Sequence, residues 1–235
     1  FWPVHRKEAV WTVKPEPGPH PIRRCLPLAL VIRDVLGFAK TRREAKIILS
    51  QGKIRVDGRV RRSDRFSSGL MDVISIPEIE RHYRVLPSEK GLILHPIDKE
   101  EAGFKPYRVD GKNTLMGGHI QLSLHDGGNL LIRVNDPKNP GEDVYDTFDT
   151  LILSVPDREV VEHAKLTEGA PAMIIGGKNM GRCGKIVAVE QRAGQERSKA
   201  LVTIEDKGGN RFQTTLNYVF VVGGTQPRIS VPEAG

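Results

Sequence analysis

The sequence predicts an α+β multidomain protein, in which a small domain of two helices and a β-hairpin precedes two β-rich domains. Three patterns carry this prediction. Apolar residues recur at helical spacing within residues 27–50, short strand-length runs separated by turn residues fill residues 78–168, and a last group of such runs begins near Gly169. Helical faces repeat every three to four residues and strand faces every two, so the patterns distinguish the two kinds of domain.

The length of 235 residues allows two domains, or three small ones. We divide the chain into an extended N-terminal arm at residues 1–26, a domain of two helices and a hairpin at 27–77, a central β-rich domain at 78–168, and a C-terminal barrel with its tail at 169–235.

The N-terminal arm is rich in proline. Four prolines between Pro15 and Pro21 exclude regular structure from that stretch. The chain does not begin with methionine, so we expect that some residues precede Phe1. Arg23 and Arg24 then lead into the first helix.

A first helix is predicted between Pro27 and Gly37. Proline suits the first position of a helix and glycine its end. Between them, four apolar residues recur at i, i+3, i+4 and i+7 and form one buried stripe, namely Leu28, Val31, Ile32 and Val35.

A second helix follows, with Thr41 and Glu44 in the spacing of a capping box and Gly52 at its end. The apolar residues predicted to face the core are Ala45, Ile48 and Leu49. The basic residues predicted to face solvent or a ligand are Arg42, Arg43 and Lys46.

A β-hairpin completes this domain, because Asp57 and Gly58 form a strong two-residue turn signal. Ile54 and Val56 alternate with charged residues before the turn. Beyond the hairpin, Ser67–Gly69 is predicted to be a turn and residues 71–76 a strand that completes a small sheet.

Positive charge is concentrated in the N-terminal part of the chain. The formal net charge is +7, but residues 1–90 hold 19 Lys and Arg against 10 Asp and Glu, which leaves the remainder slightly acidic. A localised basic surface favours a polyanionic partner, most commonly nucleic acid. The membrane alternative is weaker because no basic helix carries a large apolar face. The cations predicted to bind the polyanion are Arg23, Arg24, Lys40, Arg42, Arg43, Lys46, Lys53, Arg55, Arg59, Arg61, Arg62 and Arg65.

The order of a helix, a capped basic helix and the stretch from Gly52 to Val60 resembles the small S4 RNA-binding domain of ribosomal proteins, pseudouridine synthases and some tRNA synthetases. The resemblance implies that RNA is the ligand of these cations.

Trp2 and Trp11 in the arm offer a second mode of RNA contact, by stacking on unpaired bases. Anchoring of the arm on its own protein is the favoured interpretation of both tryptophans.

The central domain is predicted to be a small barrel or twisted sheet, because strand-length runs are separated by turn residues such as Asp110 and Gly111. The runs cover residues 83–86, 92–94, 107–109, 120–124, 130–134 and 150–153. The acidic residues 142–149 lack the spacing of an EF-hand loop, so they predict a solvated loop and no cation site.

The last domain is predicted to be a small SH3-like barrel with five strands. The strand runs cover residues 172–175, 185–189, 200–204, 211–215 and 219–222. A glycine-rich connection joins the first two runs, and glycine lets a backbone approach another surface closely.

That connection resembles the KOW motif of ribosomal and transcription-elongation proteins, in which a basic glycine-rich loop leads to an obligatory glycine, here Gly184. The resemblance implies RNA contacts by Lys178, Asn179, Arg182 and Lys185. A nucleotide-binding P-loop is excluded, because Ile186 stands where that motif needs Ser or Thr and Asn179 where it needs glycine.

No catalytic or metal site is predicted, and hence no cofactor. The seven histidines form no HxxxH or HxH pair, and no Gly-x-Ser-x-Gly elbow occurs. Cys25 and Cys183 form no CxxC pair, which argues against zinc and fits a reducing cytoplasm. The sequence contains no run of 18 apolar residues that would predict a membrane span.

The enzyme alternative is a pseudouridine synthase, which would need a large catalytic domain with an aspartate in a Gly-Arg-Leu-Asp-like strand. The sequence lacks both, so we predict that the protein is not an enzyme.

The ordered set of these parts resembles the S4e family of small-subunit ribosomal proteins, in its archaeal form. The resemblance implies a structural role in the cytoplasmic ribosome: binding the 5′ part of the small-subunit ribosomal RNA during assembly, beside neighbouring ribosomal proteins. Membranes and small-molecule substrates are not implied. A free-standing KOW-containing RNA-binding regulator of transcription or translation is the alternative function.

Overall fold

The structure is a computed structural model that describes residues 2, 11–136, 138, 140–191, 194 and 196–232. The chain forms two compact units. The first unit runs to Lys105 and includes Ser154–Glu159, and the second holds Pro106–Leu153 and continues from Val160. Few helices and many strands make up both units, which confirms the predicted α+β class.

The first predicted helix is present, but its hydrogen-bonding pattern changes from α to π along its length. Helix α1 covers only Leu28–Leu30 and continues as a π-helical turn, Val31–Val35, in which the Leu36 amide donates to the Val31 carbonyl at 2.9 Å. The backbone then reverses at Gly37, whose φ is +69°. Pro27 precedes the helix instead of occupying its first position, because it is the last residue of a strand.

Helix α2 covers Arg42–Ser50 and is capped as the Thr41 and Glu44 spacing predicts. The Glu44 amide donates to Thr41 Oγ1 at 3.3 Å. The Glu44 carboxylate reaches one residue farther back than in a standard capping box and accepts from the Lys40 amide at 2.8 Å. This hydrogen bond lowers the pKa of Glu44. Gly52 ends the turn with φ +75°.

The first unit contains a sheet of five strands in the order β3-β2-β5-β6-β7 and a separate pair, β1 and β4. Their bounds are β1 Cys25–Pro27, β2 Arg55–Val56, β3 Arg59–Val60, β4 Ser67–Gly69, β5 Val73–Ile76, β6 Arg81–Ser88 and β7 Gly91–Ile97. Short 3₁₀ helices cover Ile22–Arg24, Pro77–Ile79 and Glu101–Gly103. Both helices pack on this sheet around a core that includes Val31, Ala45, Leu49 and Val56.

The predicted turn at Ser67–Gly69 is wrong, since these residues form β4 and pair with β1. The local Ser-Ser-Gly signal does not show a partner strand that lies about forty residues earlier. The strands predicted at residues 83–86 and 92–94 exist, but they lie in β6 and β7 and extend the sheet of the first unit, because β6 pairs with β5. The division of the chain into four segments stays a prediction.

Apart from Phe104, Lys105 and Ser154 at strand ends, which belong to the first unit, the second unit holds two sheets of five strands, in the orders β10-β9-β8-β11-β12 and β16-β15-β14-β13-β17. The first sheet consists of β8 Phe104–Thr114, β9 Ile120–Leu124, β10 Asn129–Ile132, β11 Thr150–Ser154 and β12 Val160–Ala164. The second consists of β13 Pro171–Ile174, β14 Cys183–Glu190, β15 Leu201–Glu205, β16 Arg211–Thr215 and β17 Val219–Val221. Two short 3₁₀ helices cover Arg197–Lys199 and Leu216–Tyr218.

Two details of the second unit differ from the sequence prediction. Asp110 and Gly111 do not form a turn, because they lie at a bulge where β8 changes its register against β9. Strand β12 was not predicted at all. Each sheet has its own apolar core. Leu122 and Leu151 are fully buried in the core of the β8–β12 sheet, and Val202 and Val221 in that of the β13–β17 sheet.

Candidate nucleic-acid interface

The basic residues of the first unit lie on α2, on the β2–β3 hairpin and on the segments that flank them. Residues 27–77 hold eleven Lys and Arg against five Asp and Glu. Helix α2 buries Ala45 and Leu49 and exposes Arg42, Arg43 and Lys46, as predicted. The helix therefore separates an apolar face, which packs on the core, from a cationic face that is open to solvent.

Asp64 lies beside two of these helix cations. Arg42 Nε donates to Asp64 Oδ2 at 2.7 Å, and Lys46 Nζ lies 3.9 Å from the other carboxylate oxygen. Asp64 is buried, whereas both cations stay largely exposed. One carboxylate therefore orients two cationic side chains while neutralising at most one of them.

The hairpin turns through Asp57 and Gly58, both in the left-handed region with φ +49° and +71°. The turn lies where the sequence predicts it, and its geometry is that of a two-residue type I′ turn. Arg55 in β2 and Arg59 in β3 are exposed, and β3 is the edge strand of its sheet. The hairpin therefore presents two arginines at an open edge.

Several of the predicted cations already have partners within the first unit. Lys53 Nζ lies 3.1 Å from Glu78, and Arg65 Nε lies 3.8 Å from Glu16, both at exposed sites where such pairs are weak. The guanidinium of Arg61 stacks at 4.5 Å over the Phe66 ring. Sequence analysis did not identify Phe66 as the ring on which Arg61 stacks, because nothing in the local sequence pattern indicates such a contact.

Among the residues that the structure describes, no carboxylate lies within 4.0 Å of a side-chain nitrogen of the other predicted cations of the first unit. They are Arg23, Arg24, Lys40, Arg43, Arg55, Arg59 and Arg62. A cation without a paired carboxylate remains free to attract phosphate, so these side chains are the first candidates for phosphate contacts.

A buried charge cluster contacts the hairpin turn. Asp72 is 1% exposed, and its Oδ1 lies 2.5 Å from Lys105 Nζ and 2.9 Å from His20 Nε2. Lys105 also contacts Asp57, the first residue of the hairpin turn, at 2.8 Å. His20 comes from the arm and Asp57 from the hairpin, so one cluster fixes both elements.

The cluster also sets the protonation of its carboxylates. Burial on its own raises the pKa of Asp72, but Lys105 and His20 outweigh burial and hold that pKa well below its ordinary range. Burial and the neighbouring Asp72 raise the pKa of Asp57. Sequence analysis missed this cluster, because Lys105 is 33 residues from Asp72 and no local motif connects them.

The glycine-rich connection of the second unit holds the other predicted RNA contacts. Lys178 and Lys185 are exposed, and Arg182 stacks at 4.3 Å over the Phe212 ring. The Asn179 carbonyl accepts from the Arg182 amide at 3.3 Å, which closes a turn within the loop.

Gly184 lies in β14 and does not have a positive φ. Glycine is required at this position because the neighbouring strand β15 approaches closely. A Cβ atom at this position would overlap the Glu205 carbonyl oxygen of β15. Gly176 is similarly crowded, because a Cβ there would lie 2.6 Å from the Tyr218 ring. Gly181, by contrast, needs glycine for its φ of +89°.

No group of three or more metal-binding side chains is found in the part of the chain that the structure describes. Three acidic residues of the segment 142–149 have partners within the second unit: Glu142 accepts from Asn135 Nδ2 at 2.7 Å, Asp143 pairs with Lys112, and Asp149 lies 2.7 Å from His163. Among the described residues, no helix is long and apolar enough to cross a membrane.

Burial changes the titration of both thiols. Cys25 and Cys183 are both free. Burial, with Asp72 nearby, raises the pKa of Cys25 to about 11, and burial together with Asp206 raises the pKa of Cys183 to about 12. Both therefore stay protonated at neutral pH.

Three family models match consecutive parts of the chain. The RS4NT (NUC023) domain matches residues 1–23, the S4 domain residues 27–74, and the ribosomal family S4e residues 79–160. The S4 match covers the helices and the hairpin that carry most of the exposed cations.

Whole-chain relatives agree with these matches. The small ribosomal subunit protein eS4 of Staphylothermus marinus is 53% identical over 99% of this chain and 92% of its own, and that of Aeropyrum pernix is 52% identical over the same shares. The eS4 protein of Methanocaldococcus jannaschii is 44% identical over 98% of this chain and 93% of its own. The crystal structure of the 30S ribosomal protein S4e from Thermoplasma acidophilum superposes with a TM-score of 0.70 at 32% identity, covering 86% of this chain and 96% of that one.

Proposed function

The chain belongs to the ribosomal S4e family, and we propose that its first unit binds the 5′ part of small-subunit ribosomal RNA through the cations of α2, the hairpin and the end of the arm. The protein is a structural constituent of the small ribosomal subunit, and it is not an enzyme. It works in the cytoplasmic ribosome, with ribosomal RNA and neighbouring ribosomal proteins as its partners.

The observation that carries the RNA site is the set of exposed cations without a paired carboxylate on α2 and the hairpin, namely Arg43, Arg55 and Arg59. Phosphates neutralised by such side chains release their counterions, which favours binding. Double-stranded RNA offers little sequence readout to side chains, so contacts to phosphate, to the 2′-hydroxyl and to the shape of the fold dominate.

We also propose that residues 169–235 form a KOW-type SH3-like barrel with its tail, which adds a second RNA contact through Lys178, Asn179, Arg182 and Lys185. The strand order β16-β15-β14-β13-β17 and the close approach at Gly184 support this proposal. In the same scheme residues 1–26 act as the arm, 27–77 as the S4-like domain and 78–168 as the central β-rich domain.

Binding of the full chain to a transcript of the 5′ domain of small-subunit ribosomal RNA tests the proposal, with an equal length of unrelated structured RNA as the control. We expect a preference of about a hundredfold at physiological salt, which corresponds to about 2.7 kcal/mol. Equal affinities for the two RNAs would contradict the proposed RNA target and favour the free-standing regulator.

A further inference from the structure

The two tryptophans of the arm are in opposite environments. Trp2 packs against the core of the first unit, and its indole Nε1 donates to the Cys25 carbonyl at 2.7 Å. Trp11 is 87% exposed, and its indole makes no hydrogen bond or ring contact with any residue that the structure describes. Anchoring, the favoured interpretation of both tryptophans, therefore applies to Trp2 alone.

The backbone that follows Trp11 is fixed to the basic part of the first unit. Val13 is 4% exposed, Arg65 Nε donates to the Lys14 carbonyl at 3.0 Å, and the Glu16 amide donates to the Arg65 carbonyl at 2.8 Å. Three residues of extended chain span at most about 11 Å, so Trp11 lies no farther than that from Lys14. The backbone at Trp11 is thus tethered near Arg65, while the indole itself is open to solvent.

Charge favours RNA over a protein pocket as the occupant of this position. Residues 1–24 hold five Lys and Arg against two Asp and Glu. The ion pair between Arg65 and Glu16 is long and exposed, so phosphate competes for Arg65 easily. Unpaired bases of RNA stack on aromatic side chains whose flanking cations hold the backbone.

We propose that Trp11 binds an unpaired base of ribosomal RNA by stacking, while Lys14 and Arg65 contact the adjacent phosphates. This proposal rests on the proposed function and adds to it a contact that distinguishes single-stranded from paired RNA. A base within a duplex has both faces covered by its neighbours, so only an unpaired nucleotide offers a face to the indole.

Fluorescence separates the two tryptophans. In a Trp2→Phe variant the emission comes from Trp11, and in a Trp11→Phe variant it comes from Trp2. The probes are oligoadenylate, a fully paired RNA hairpin of equal nucleotide number, and the 5′-domain transcript. We expect oligoadenylate and the transcript to quench Trp11, the paired hairpin to leave it bright, and Trp2 to respond to none of them.

Affinity gives the second readout. Stacking of one base on an aromatic side chain contributes about 1–3 kcal/mol, so Trp11→Leu should weaken binding of the transcript by about 5- to 150-fold. Trp11→Phe should keep most of the affinity, because phenylalanine also stacks. Met116→Leu is the matched control, since Met116 is 98% exposed in the second unit and should change nothing.

Each outcome separates this proposal from the proposed function. Unchanged affinity of Trp11→Leu with no quenching of Trp11 would overturn base stacking alone. A wild-type chain that does not prefer the transcript over unrelated RNA would overturn the proposed function instead. If Trp11→Leu binds RNA normally but is no longer incorporated into small subunits, Trp11 contacts a protein neighbour. That result would also overturn base stacking.

Discussion

The ammonium nitrogen of Lys105 lies 2.8 Å from a carboxylate oxygen of Asp57, 48 residues earlier in the chain. Asp57 is the first residue of the hairpin turn, and its other oxygen accepts from the Val73 amide at 2.9 Å. The side chain of Lys105 is fully buried. The orientation of the basic hairpin therefore depends on a buried lysine that contacts no RNA itself.

Replacement of Lys105 by methionine is expected to destabilise the first unit by about 3–5 kcal/mol, because it leaves the Asp57 and Asp72 carboxylates without their shared cation. The midpoint of urea unfolding measures this loss. Lys199→Met is the control, since its pair with Glu196 is exposed and contributes at most about 1 kcal/mol. A Lys105→Met chain as stable as wild type would show that the cluster does not hold the fold.

Acid should weaken the first unit through Asp72. Its pKa is lower in the folded than in the unfolded chain, so its contribution is present above its ordinary pKa and is lost as the pH falls below about 4 toward the folded value. The raised pKa of Asp57 acts in the opposite direction, so the comparison must be between wild type and Asp72→Asn. We expect Asp72→Asn to lose less stability than wild type between pH 6 and pH 3. Equal losses measured by urea unfolding at the two pH values would refute this assignment.

Gly184→Ala is expected to destabilise the second unit by about 1–3 kcal/mol, because its Cβ would overlap the Glu205 carbonyl oxygen and force the two strands apart. Thermal unfolding measures the effect. Gly141→Ala is the control, since nothing lies within 4 Å of a Cβ at that position. Equal melting temperatures of the two variants would mean that β14 and β15 adjust to the extra methyl group.

Arg43→Ala should weaken binding of the 5′-domain transcript and lower the slope of log affinity against log salt by about 0.7–0.9, the effect of one lost phosphate contact. Arg33→Ala is the control, because the Arg33 guanidinium is held 2.7 Å from Asp34 and lies outside the predicted site. If both variants bind with the same slope as wild type, Arg43 contacts no phosphate.

Local sequence signals predicted the elements that depend on neighbouring residues. The Asp57 and Gly58 turn, the Thr41 cap and the glycine stop at Gly52 are confirmed, because each depends on hydrogen bonds or φ values within a few residues. The alternating runs also located most strands of the second unit.

The elements that sequence analysis missed depend on distant partners. Ser67–Gly69 forms a strand only because Cys25–Pro27 pairs with it, and β6 joins the first sheet because its partner is β5. The support of the candidate site was missed for the same reason, since Lys105, Asp72 and His20 meet only in the folded chain.

The central claim is tested most directly by the salt dependence of binding to the 5′-domain RNA. The comparison is between wild type and a chain that carries Arg43→Ala, Arg55→Ala and Arg59→Ala. These three arginines are exposed and have no carboxylate partner among the described residues, so their removal disturbs no internal pair. We predict weaker binding and a salt slope reduced by about 2–3, the sum of three lost phosphate contacts. An unchanged affinity and slope would contradict the claim that α2 and the hairpin form the RNA-binding surface.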